Sequence, residues 1–225
     1  MINIMETDPK YDIPFEQEVY RKMIHLLSLS IPLIYIFINR ELAIAILFPL
    51  TIIDLFFEIL YKINRRINHL INSIWGMMLR PYEKKEKTVF TGATWVFISA
   101  LLIIAFFPKF IAVTALTILV ISDISAALIG RKFGKTKFLG KSLEGTLAFF
   151  ITGIMIIIVY GIIFHASWTY FLFGFISVIV GAFFESISKS IKLDDNFTIP
   201  LSISIFMWLG ELISVYFNCS YANLI

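Results

Sequence analysis

The chain has 225 residues, of which 59% are hydrophobic and only 16% are charged, and its mean hydropathy is +0.86. A soluble domain carries roughly a quarter charged residues, and no soluble fold of this length has an interior large enough for so much apolar surface. The composition therefore excludes a soluble enzyme, a disordered tail and a nucleic-acid binder built on a basic surface. The single cysteine, Cys219, excludes an internal disulfide framework and a cysteine-based zinc site.

Seven apolar segments are long enough to cross a membrane, which takes about 20 residues. In chain order they are 22–39, 42–61, 89–107, 110–129, 146–164, 168–187 and 197–217. An eighth segment, 67–79, is too short, and its apolar residues recur at helical spacing between polar ones, which is typical of a helix on the membrane surface. The sequence predicts an all-α, polytopic membrane helical bundle with about seven transmembrane helices and a surface helix at about 67–79.

The positions of lysine and arginine predict how this bundle is oriented. With seven spans, 17 of the 19 basic residues lie on one side, and only Arg40 and Lys109 lie on the other. If 67–79 also crossed the membrane, the split would be 7 against 12, without a clear bias. Because cytoplasmic loops carry an excess of basic residues, we expect a cytoplasmic N-terminus. The protein would then lie in the cell inner membrane of a bacterium or the endoplasmic reticulum of a eukaryote.

The membrane domain fills most of the chain. We expect residues 1–20 to form a cytoplasmic tail and residues 21–225 to form a single integral membrane catalytic domain, because no linker or repeat marks a second one. The sizeable polar loops, 62–88 and 130–142, share the predicted cytoplasmic side. Any water-soluble co-substrate should therefore approach from that side.

Acidic residues within or next to the spans gather in the predicted cytoplasmic half of the membrane. Such residues are costly in a bilayer and commonly mark function. The set comprises Asp54, Glu58, Asp123, Glu144, Glu185, Asp194 and Asp195. One interpretation is structural ion pairing with neighbouring lysines and arginines. The other is a metal–phosphate site, since magnesium prefers oxygen ligands and often takes one or two carboxylates plus substrate phosphates.

Glycines alternate with basic residues between the fourth and fifth predicted spans. The glycines are Gly130, Gly134, Gly140 and Gly145, and the basic residues are Arg131, Lys132, Lys135, Lys137 and Lys141. Glycine lets backbone N–H groups approach a ligand closely, and lysine and arginine supply charge for a polyphosphate. The next helix would add the positive end of its dipole, with Ser142 as its cap and Glu144 in its first turn.

A structural interpretation of the same segment is also open. Ala126, Gly130 and Gly134 are four residues apart, which is a spacing that packs helices together in membranes. Basic residues in a cytoplasmic loop also follow from topology alone. The pattern by itself therefore leaves phosphate binding and helix packing as alternatives.

The segment resembles the signature of the family that contains dolichol kinase, phytol kinase and CTP-dependent diacylglycerol kinase. The matching residues are Asp123-x-x-Ala126-x-x-x-Gly130-Arg131-x-x-Gly134-Lys135 and Gly140-Lys141-Ser142-x-Glu144-Gly145-Thr146. Two flanking stretches are similar to further family elements, namely Arg21-Lys22-x-x-His25 and Glu185 followed by Asp194-Asp195-Asn196-x-x-x-Pro200. The resemblance extends from residue 18 to about residue 205, and its central motif is the most specific part.

The resemblance implies a membrane enzyme that transfers the γ-phosphate of CTP, with Mg²⁺, to the hydroxyl of a polyprenol, a phytol-like alcohol or diacylglycerol. By position it implies catalytic roles for Asp123, Lys141, Glu185 and Asp195. It implies nucleotide binding by Gly130, Arg131, Gly134, Lys135, Gly140, Ser142, Glu144, Gly145 and Asn196. Magnesium would lie at Asp123 with Glu185 or Asp195, and either Asp195 or Asp123 would accept the alcohol proton. The expected partners are the lipid alcohol, a nucleoside triphosphate and membrane lipids, with no nucleic acid.

Two other functions compete with a kinase. Phosphatidate cytidylyltransferases resemble this family too, but their late His-Gly-Gly and Asp-Arg elements have no counterpart in residues 189–200, which favours the kinase. A transporter would carry buried acids through both leaflets, whereas here only Glu211 lies deep on the predicted outer side. Internal inverted symmetry, which is common in transporters, is not evident in the sequence.

Overall fold

Residues 14–76, 79, 90–191, 193–222 and 224–225 are described in a computed structural model. Apart from one short hairpin, their regular structure is helical, which confirms the predicted all-α membrane bundle. The helices are α1 (Phe15–Leu27), α2 (Ser30–Phe37), α3 (Arg40–Ile63), α4 (Arg65–Trp75), α5 (Gly92–Phe106), α6 (Lys109–Phe133), α7 (Leu143–Ile163), α8 (Trp168–Ile191) and α9 (Asp195–Tyr216). Strands β1 (Lys137–Phe138) and β2 (Lys141–Ser142) pair antiparallel between α6 and α7.

Six helical segments are long and apolar enough to cross a membrane. They are Phe15–Phe37, which joins α1 and α2, then α3, α6, α7, the Trp168–Ser188 part of α8, and α9. The predicted span at 89–107 is present as α5, which has only 15 residues and so rises about 22 Å against a hydrocarbon core of about 30 Å. It ends where Phe107 becomes extended, as the residue before a proline prefers.

The first span begins earlier than the hydropathy predicts. Helix α1 starts at Phe15, inside the segment expected to be a tail, and carries Glu16 and Glu18 in its first turn, where acids are favourable for the helix dipole. Ser28 and Leu29 both keep right-handed helical backbone angles. The two residues form one tighter turn, and through it the chain runs on from α1 into α2 as a single span. Residues 1–13 of the expected tail lie outside the described part of the chain.

Helix α6 forms the centre of the bundle. Every side chain from Phe110 to Val120 is buried, because α1, α2, α5, α7 and α9 all pack against this helix. The outer helices instead expose large apolar side chains, such as Phe48 and Phe56 on α3. A polar residue on α6 is therefore enclosed by protein, whereas the periphery suits contact with lipid chains.

Helix α4 matches the predicted surface helix, with bounds two to four residues earlier. Asn64 caps it by accepting a hydrogen bond from the backbone of Arg66 at 2.9 Å, and Asn68 donates to the Tyr61 carbonyl at 3.1 Å. Leu70 and Ile74 remain exposed. Its position on a membrane surface stays a prediction, and residues 77–78 of the predicted segment lie outside the described residues.

Because successive spans alternate in direction, the bundle has two distinct ends. The hairpin end contains β1 and β2, the starts of α1, α5, α7 and α9, and the final turns of α3, α6 and α8. The opposite end contains Arg40, Lys109 and Glu211. Arg40 donates to the Phe107 carbonyl at 2.6 Å, and Lys109 donates to the Ile36 carbonyl at 2.9 Å.

Candidate active site

The short hairpin places Lys141 against α8. Leu139 adopts a positive φ of 50° in the turn between the two strands, which lets β2 double back on β1. The next residue, Gly140, donates its backbone N–H to the Ser186 carbonyl at 3.0 Å. This bond ties the turn to α8, so the side chain of Lys141 reaches the carboxylate of Glu185.

Lys141 lies between two buried carboxylates. Its Nζ atom is 2.6 Å from Oε1 of Glu185 and 3.2 Å from Oδ2 of Asp195, and its side chain is 19% exposed. Burial opposes the charged form, but Glu185, Asp195 and Asp123 outweigh it and raise the pKa of Lys141. The ammonium group therefore keeps its proton. The second oxygen of Glu185, Oε2, is buried without a hydrogen-bond partner.

Asp123 is the buried acid on α6 around which α1 packs. It is 2% exposed, and its Oδ2 atom forms an ion pair with Nζ of Lys22. Nε2 of His25 lies 3.6 Å from the same oxygen and has no hydrogen-bond partner. Lys22 and His25 are three residues apart on α1 and so share a helix face, which makes α1 one wall of the site.

Glu18 joins α1 to the last turns of α6. It is 1% exposed, and its carboxylate lies 2.6 Å from Arg21 and 3.2 Å from Arg131. Arg131, a predicted nucleotide-binding residue, is therefore held by an acid from the first helix. This contact places a second arginine, Arg21, beside it.

We define the charged cluster as the eight ionic side chains that these contacts bring together at the hairpin end. Its carboxylates are Glu18, Asp123, Glu185 and Asp195, and its cations are Arg21, Lys22, Arg131 and Lys141. All four predicted catalytic residues belong to it. The formal charges of the eight groups balance, which lowers the cost of burying the four carboxylates and Lys22.

The glycines of the central motif mainly allow helices to meet. A Cβ atom at Gly145 would lie 2.8 Å from the Ala126 carbonyl oxygen and 3.1 Å from Cα of Gly130. A Cβ atom at Gly130 or Gly134 would lie 2.9 Å from atoms of Ser142. At these three glycines, the atoms that come close to the backbone belong to other residues of the same chain. The helix-packing interpretation accounts for them, and their assignment to nucleotide binding stays a prediction.

Ser142 and Glu144 hold the loop closed at the start of α7. Ser142 caps the helix as expected, since its side chain accepts a hydrogen bond from the Gly145 backbone at 3.2 Å. Glu144 lies in the first turn and accepts from the Thr136 backbone at 3.1 Å. Lys135, next to Thr136, is exposed. The loop therefore presents Lys135 to solvent while Ser142 faces the interior.

The start of α9 contributes an amide to the same end. Asp194 caps this helix by accepting from the Asn196 backbone at 3.0 Å, and the Asn196 side chain donates to it at 2.8 Å. A weaker bond of 3.4 Å joins the Asn196 amide to the Gly92 carbonyl of α5. Oδ1 of Asn196 is buried without a hydrogen-bond partner, so an amide oxygen beside Asp195 is available to a ligand.

A ready-made metal cage is not found within the described residues, where no group of three or more His, Cys, Asp or Glu side chains is arranged to hold an ion. The three predicted metal residues, Asp123, Glu185 and Asp195, each face a lysine instead. By donor type the residues nevertheless suit Mg²⁺, because Oε2 of Glu185 and Oδ1 of Asn196 are unpartnered oxygens of the kind magnesium prefers. A magnesium site at these residues stays a prediction.

Sequence reasoning missed part of the site on α1. It placed Glu18 in a tail and left Lys22 and His25 out of the predicted site residues, although the resemblance included Arg21-Lys22-x-x-His25. The signal that could have found them is their spacing, because residues 18, 22 and 25 share one helix face. On α3, Glu58 is likewise buried at this end and accepts from Thr91 at 2.9 Å.

Comparison with known proteins finds both an uncharacterized bacterial protein and fungal enzymes among the relatives of this chain. The uncharacterized protein RP860 of Rickettsia prowazekii is 31% identical over 190 residues, which cover 84% of this chain and 92% of that protein. The CTP-dependent diacylglycerol kinase 1 of Saccharomyces cerevisiae is 30% identical over 213 residues, covering 84% of this chain and 66% of the enzyme. The enzyme of the same name from Eremothecium gossypii is 29% identical over 167 residues, which cover 62% of this chain and 50% of that enzyme.

The chain thus spans about half of the Eremothecium enzyme and about two thirds of the Saccharomyces enzyme. No protein-family model matches the chain. No solved structure matches it either. The similarity to the two fungal enzymes is therefore a similarity between sequences, without a matching family model or solved structure beside it.

Proposed function

We propose that this chain is a lipid kinase, on the premise that it belongs to one family with RP860 of Rickettsia prowazekii and is related to the fungal CTP-dependent diacylglycerol kinases. It would transfer the γ-phosphate of CTP to the hydroxyl of a lipid alcohol. The names of the fungal relatives favour diacylglycerol as the acceptor, with a polyprenol or a phytol-like alcohol as alternatives. The reaction would take place at the cytoplasmic leaflet, where the basic loops are expected to lie.

One observation carries the proposal, namely Lys141 held between the buried carboxylates of Glu185 and Asp195 in the charged cluster. Charged side chains at membrane depth are expensive and generally functional. Phosphoryl transfer consists mainly of positioning reactants and neutralising charge. Lysines and carboxylates gathered at one level supply both requirements, because the lysines can bind phosphate oxygens and the carboxylates can bind a metal ion.

Nucleotide binding would exchange the partners of these charges. The ammonium groups of Lys141 and Lys22 now face carboxylates, and in the complex they would turn to the phosphates. Asp123 and Glu185 or Asp195, together with Asn196, would then hold Mg²⁺. The metal ion would neutralise charge on the β- and γ-phosphates.

The acceptor hydroxyl must reach the γ-phosphate from the membrane side. Its oxygen forms a bond to the γ-phosphorus, the bond from that phosphorus to the bridging β–γ oxygen breaks, and CDP leaves. The hydroxyl proton passes to Asp123 or Asp195, the two acids that the sequence left as alternatives. Arg131 and Lys135 would balance the charge on the departing diphosphate.

The proposal is tested by product analysis with the purified full chain in lipid nanodiscs. CTP and ATP, each labelled at the γ-phosphate, are offered with Mg²⁺ and a panel of diacylglycerol, polyprenol and phytol. We expect labelled lipid phosphate and CDP from CTP, and no transfer when the metal is chelated. Labelled pyrophosphate with a CDP-lipid would instead identify a cytidylyltransferase, and absence of both products would reject the proposed activity.

A further inference from the structure

An apolar groove of about 310 Å³ opens on the side of the bundle between α2, α6 and α7. Its principal walls are Leu29, Leu33, Thr117, Ile121, Met155 and Val159. Leu33, Met155 and Val159 are 44%, 58% and 47% exposed, so the groove is open toward the region that lipid chains occupy. The groove therefore faces the bilayer laterally.

The polar groups of the groove wall are already bonded within the protein. The Thr117 hydroxyl donates a hydrogen bond to the Val113 carbonyl at 2.8 Å. The Tyr160 hydroxyl lies 2.9 Å from the Thr117 hydroxyl. Thr152 donates to the Ala148 carbonyl at 2.7 Å. A polar occupant would lose its hydration here without gaining partners, whereas a hydrocarbon chain loses nothing.

The groove approaches the charged cluster along the first span. Leu29 of the groove wall follows His25 by four residues, which is about one helical turn. At this junction Nε2 of His25 is unpartnered by any hydrogen bond and lies 3.6 Å from Asp123. The surface thus changes from apolar to polar within one turn, which matches a molecule with a hydroxyl head and a hydrocarbon tail.

We propose that this groove binds an acyl chain of the diacylglycerol acceptor and presents the lipid hydroxyl to His25 and Asp123. The inference rests on the proposed function and specifies how that site holds its lipid. From Thr152 to Tyr160 the α7 wall runs eight residues, or about 12 Å. Of the wall residues on α7, Tyr160 lies farthest from the hairpin end, so the remainder of a long chain extends into the bilayer.

The test is photolabelling with diacylglycerol that carries a diazirine on its acyl chain, in nanodiscs and without CTP. Val159→Trp fills the groove, and Ile158→Trp is the matched control, because the two neighbouring residues are 47% and 45% exposed. We expect labelled peptides from α2 and α7 in the wild type and in Ile158→Trp. Labelling of these peptides should fall about tenfold in Val159→Trp, since a steric change in an apolar pocket has effects of that order.

Competition and a second variant identify the occupant. Unlabelled diacylglycerol should displace the label, whereas a phospholipid with the same diazirine should label these peptides weakly. Equal labelling by the phospholipid would assign the groove to bulk lipid and overturn the proposal. Leu33→Trp, from the opposite wall, repeats the test if Val159→Trp lowers the melting temperature, and unchanged labelling in both would also overturn it.

This binding experiment separates the two proposals. A wild type that is labelled in the groove yet transfers no phosphate contradicts the kinase alone. An active kinase in which Val159→Trp and Ile158→Trp are labelled equally contradicts the groove alone. In an active enzyme, Val159→Trp should also raise the KM for long-chain diacylglycerol while leaving the KM for CTP unchanged.

Discussion

The two ends of the bundle both bury charged side chains, but they use them differently. At the opposite end, Arg40 and Lys109 donate to backbone carbonyls of Phe107 and Ile36, and Glu211 accepts from the Tyr221 backbone at 2.9 Å and from Ser220. At the hairpin end, lysines face carboxylates, and oxygens of Glu185 and Asn196 are left unpartnered. Burial alone therefore does not identify a site.

The chemistry of the partners makes the difference. Helix ends leave carbonyls without hydrogen bonds, and a cation that binds them stabilises the fold without being available to a ligand. A lysine paired with a carboxylate can instead change partner when a phosphate and a metal ion arrive together. The contrast predicts that charges at the opposite end support stability, whereas charges at the hairpin end support turnover.

The largest effect expected short of a complete loss of transfer distinguishes two lysines, Lys141 and Lys109. Lys141→Met should lower phosphate transfer about a thousandfold, since removing a group that stabilises transition-state charge costs this much. Lys109→Met removes a donor to a helix-end carbonyl, so it should lower the melting temperature with transfer by the folded fraction unchanged. Labelled transfer and thermal unfolding of both variants measure this. Comparable activity losses in the two would contradict the contrast.

A smaller effect is expected at a residue that positions arginines. Glu18→Gln removes the carboxylate shared by Arg21 and Arg131, so the KM for CTP should rise about tenfold, as for one lost charge-assisted contact. Glu16→Gln is the control, because Glu16 is exposed on the same helix. A KM for CTP that stays equal in the two variants would remove Glu18 from the positioning of these arginines.

The next effect concerns stability at a glycine contact. Gly145→Ala should lower the free energy of unfolding by about 1–3 kcal/mol, because its Cβ would press on the backbone of Ala126 and Gly130. Gly174→Ala would meet the side chain of Ile157, which can shift, so its cost should be smaller. Denaturant unfolding in detergent compares them. A larger loss for Gly174→Ala would show that the α6–α7 contact tolerates a side chain.

The smallest expected effect is an absence of pH dependence. A lysine whose folded-state pKa is raised, as that of Lys141 is, keeps its charge until the pH exceeds that pKa. Its contribution to stability and to transfer should therefore be constant from about pH 7 to pH 9. The pH profiles of the wild type and Lys141→Arg check this. An alkaline decline that shifts in Lys141→Arg would mean that Lys141 titrates in this range.

The sequence predicted the spans well because lipid imposes a simple requirement of apolar length. It misplaced their ends at the site, since α1 begins at Phe15 rather than 22 and α6 ends at Phe133 rather than 129. These extra turns are polar, so hydropathy assigned them to loops. They carry Glu18 and Arg131, and the assignment of Glu18 to a tail explains why its contacts with Arg21 and Arg131 were missed.

The glycines show what spacing cannot decide. A four-residue repeat such as Gly130 and Gly134 serves close helix packing or close ligand approach equally well. The choice depends on which atoms lie opposite, and here these include Ser142 and Gly145. The acids were easier to interpret, because a carboxylate at membrane depth needs a partner and basic residues were concentrated at the same end.

The most direct test compares Asp123→Asn with Glu211→Gln, two buried acids from opposite ends that are 2% and 5% exposed. The measurement is transfer of the γ-phosphate of CTP to diacylglycerol, normalised to folded protein. Asp123→Asn should abolish transfer, whereas Glu211→Gln should retain it and unfold at a lower temperature. Near-normal transfer by folded Asp123→Asn would contradict a phosphoryl-transfer site in the charged cluster.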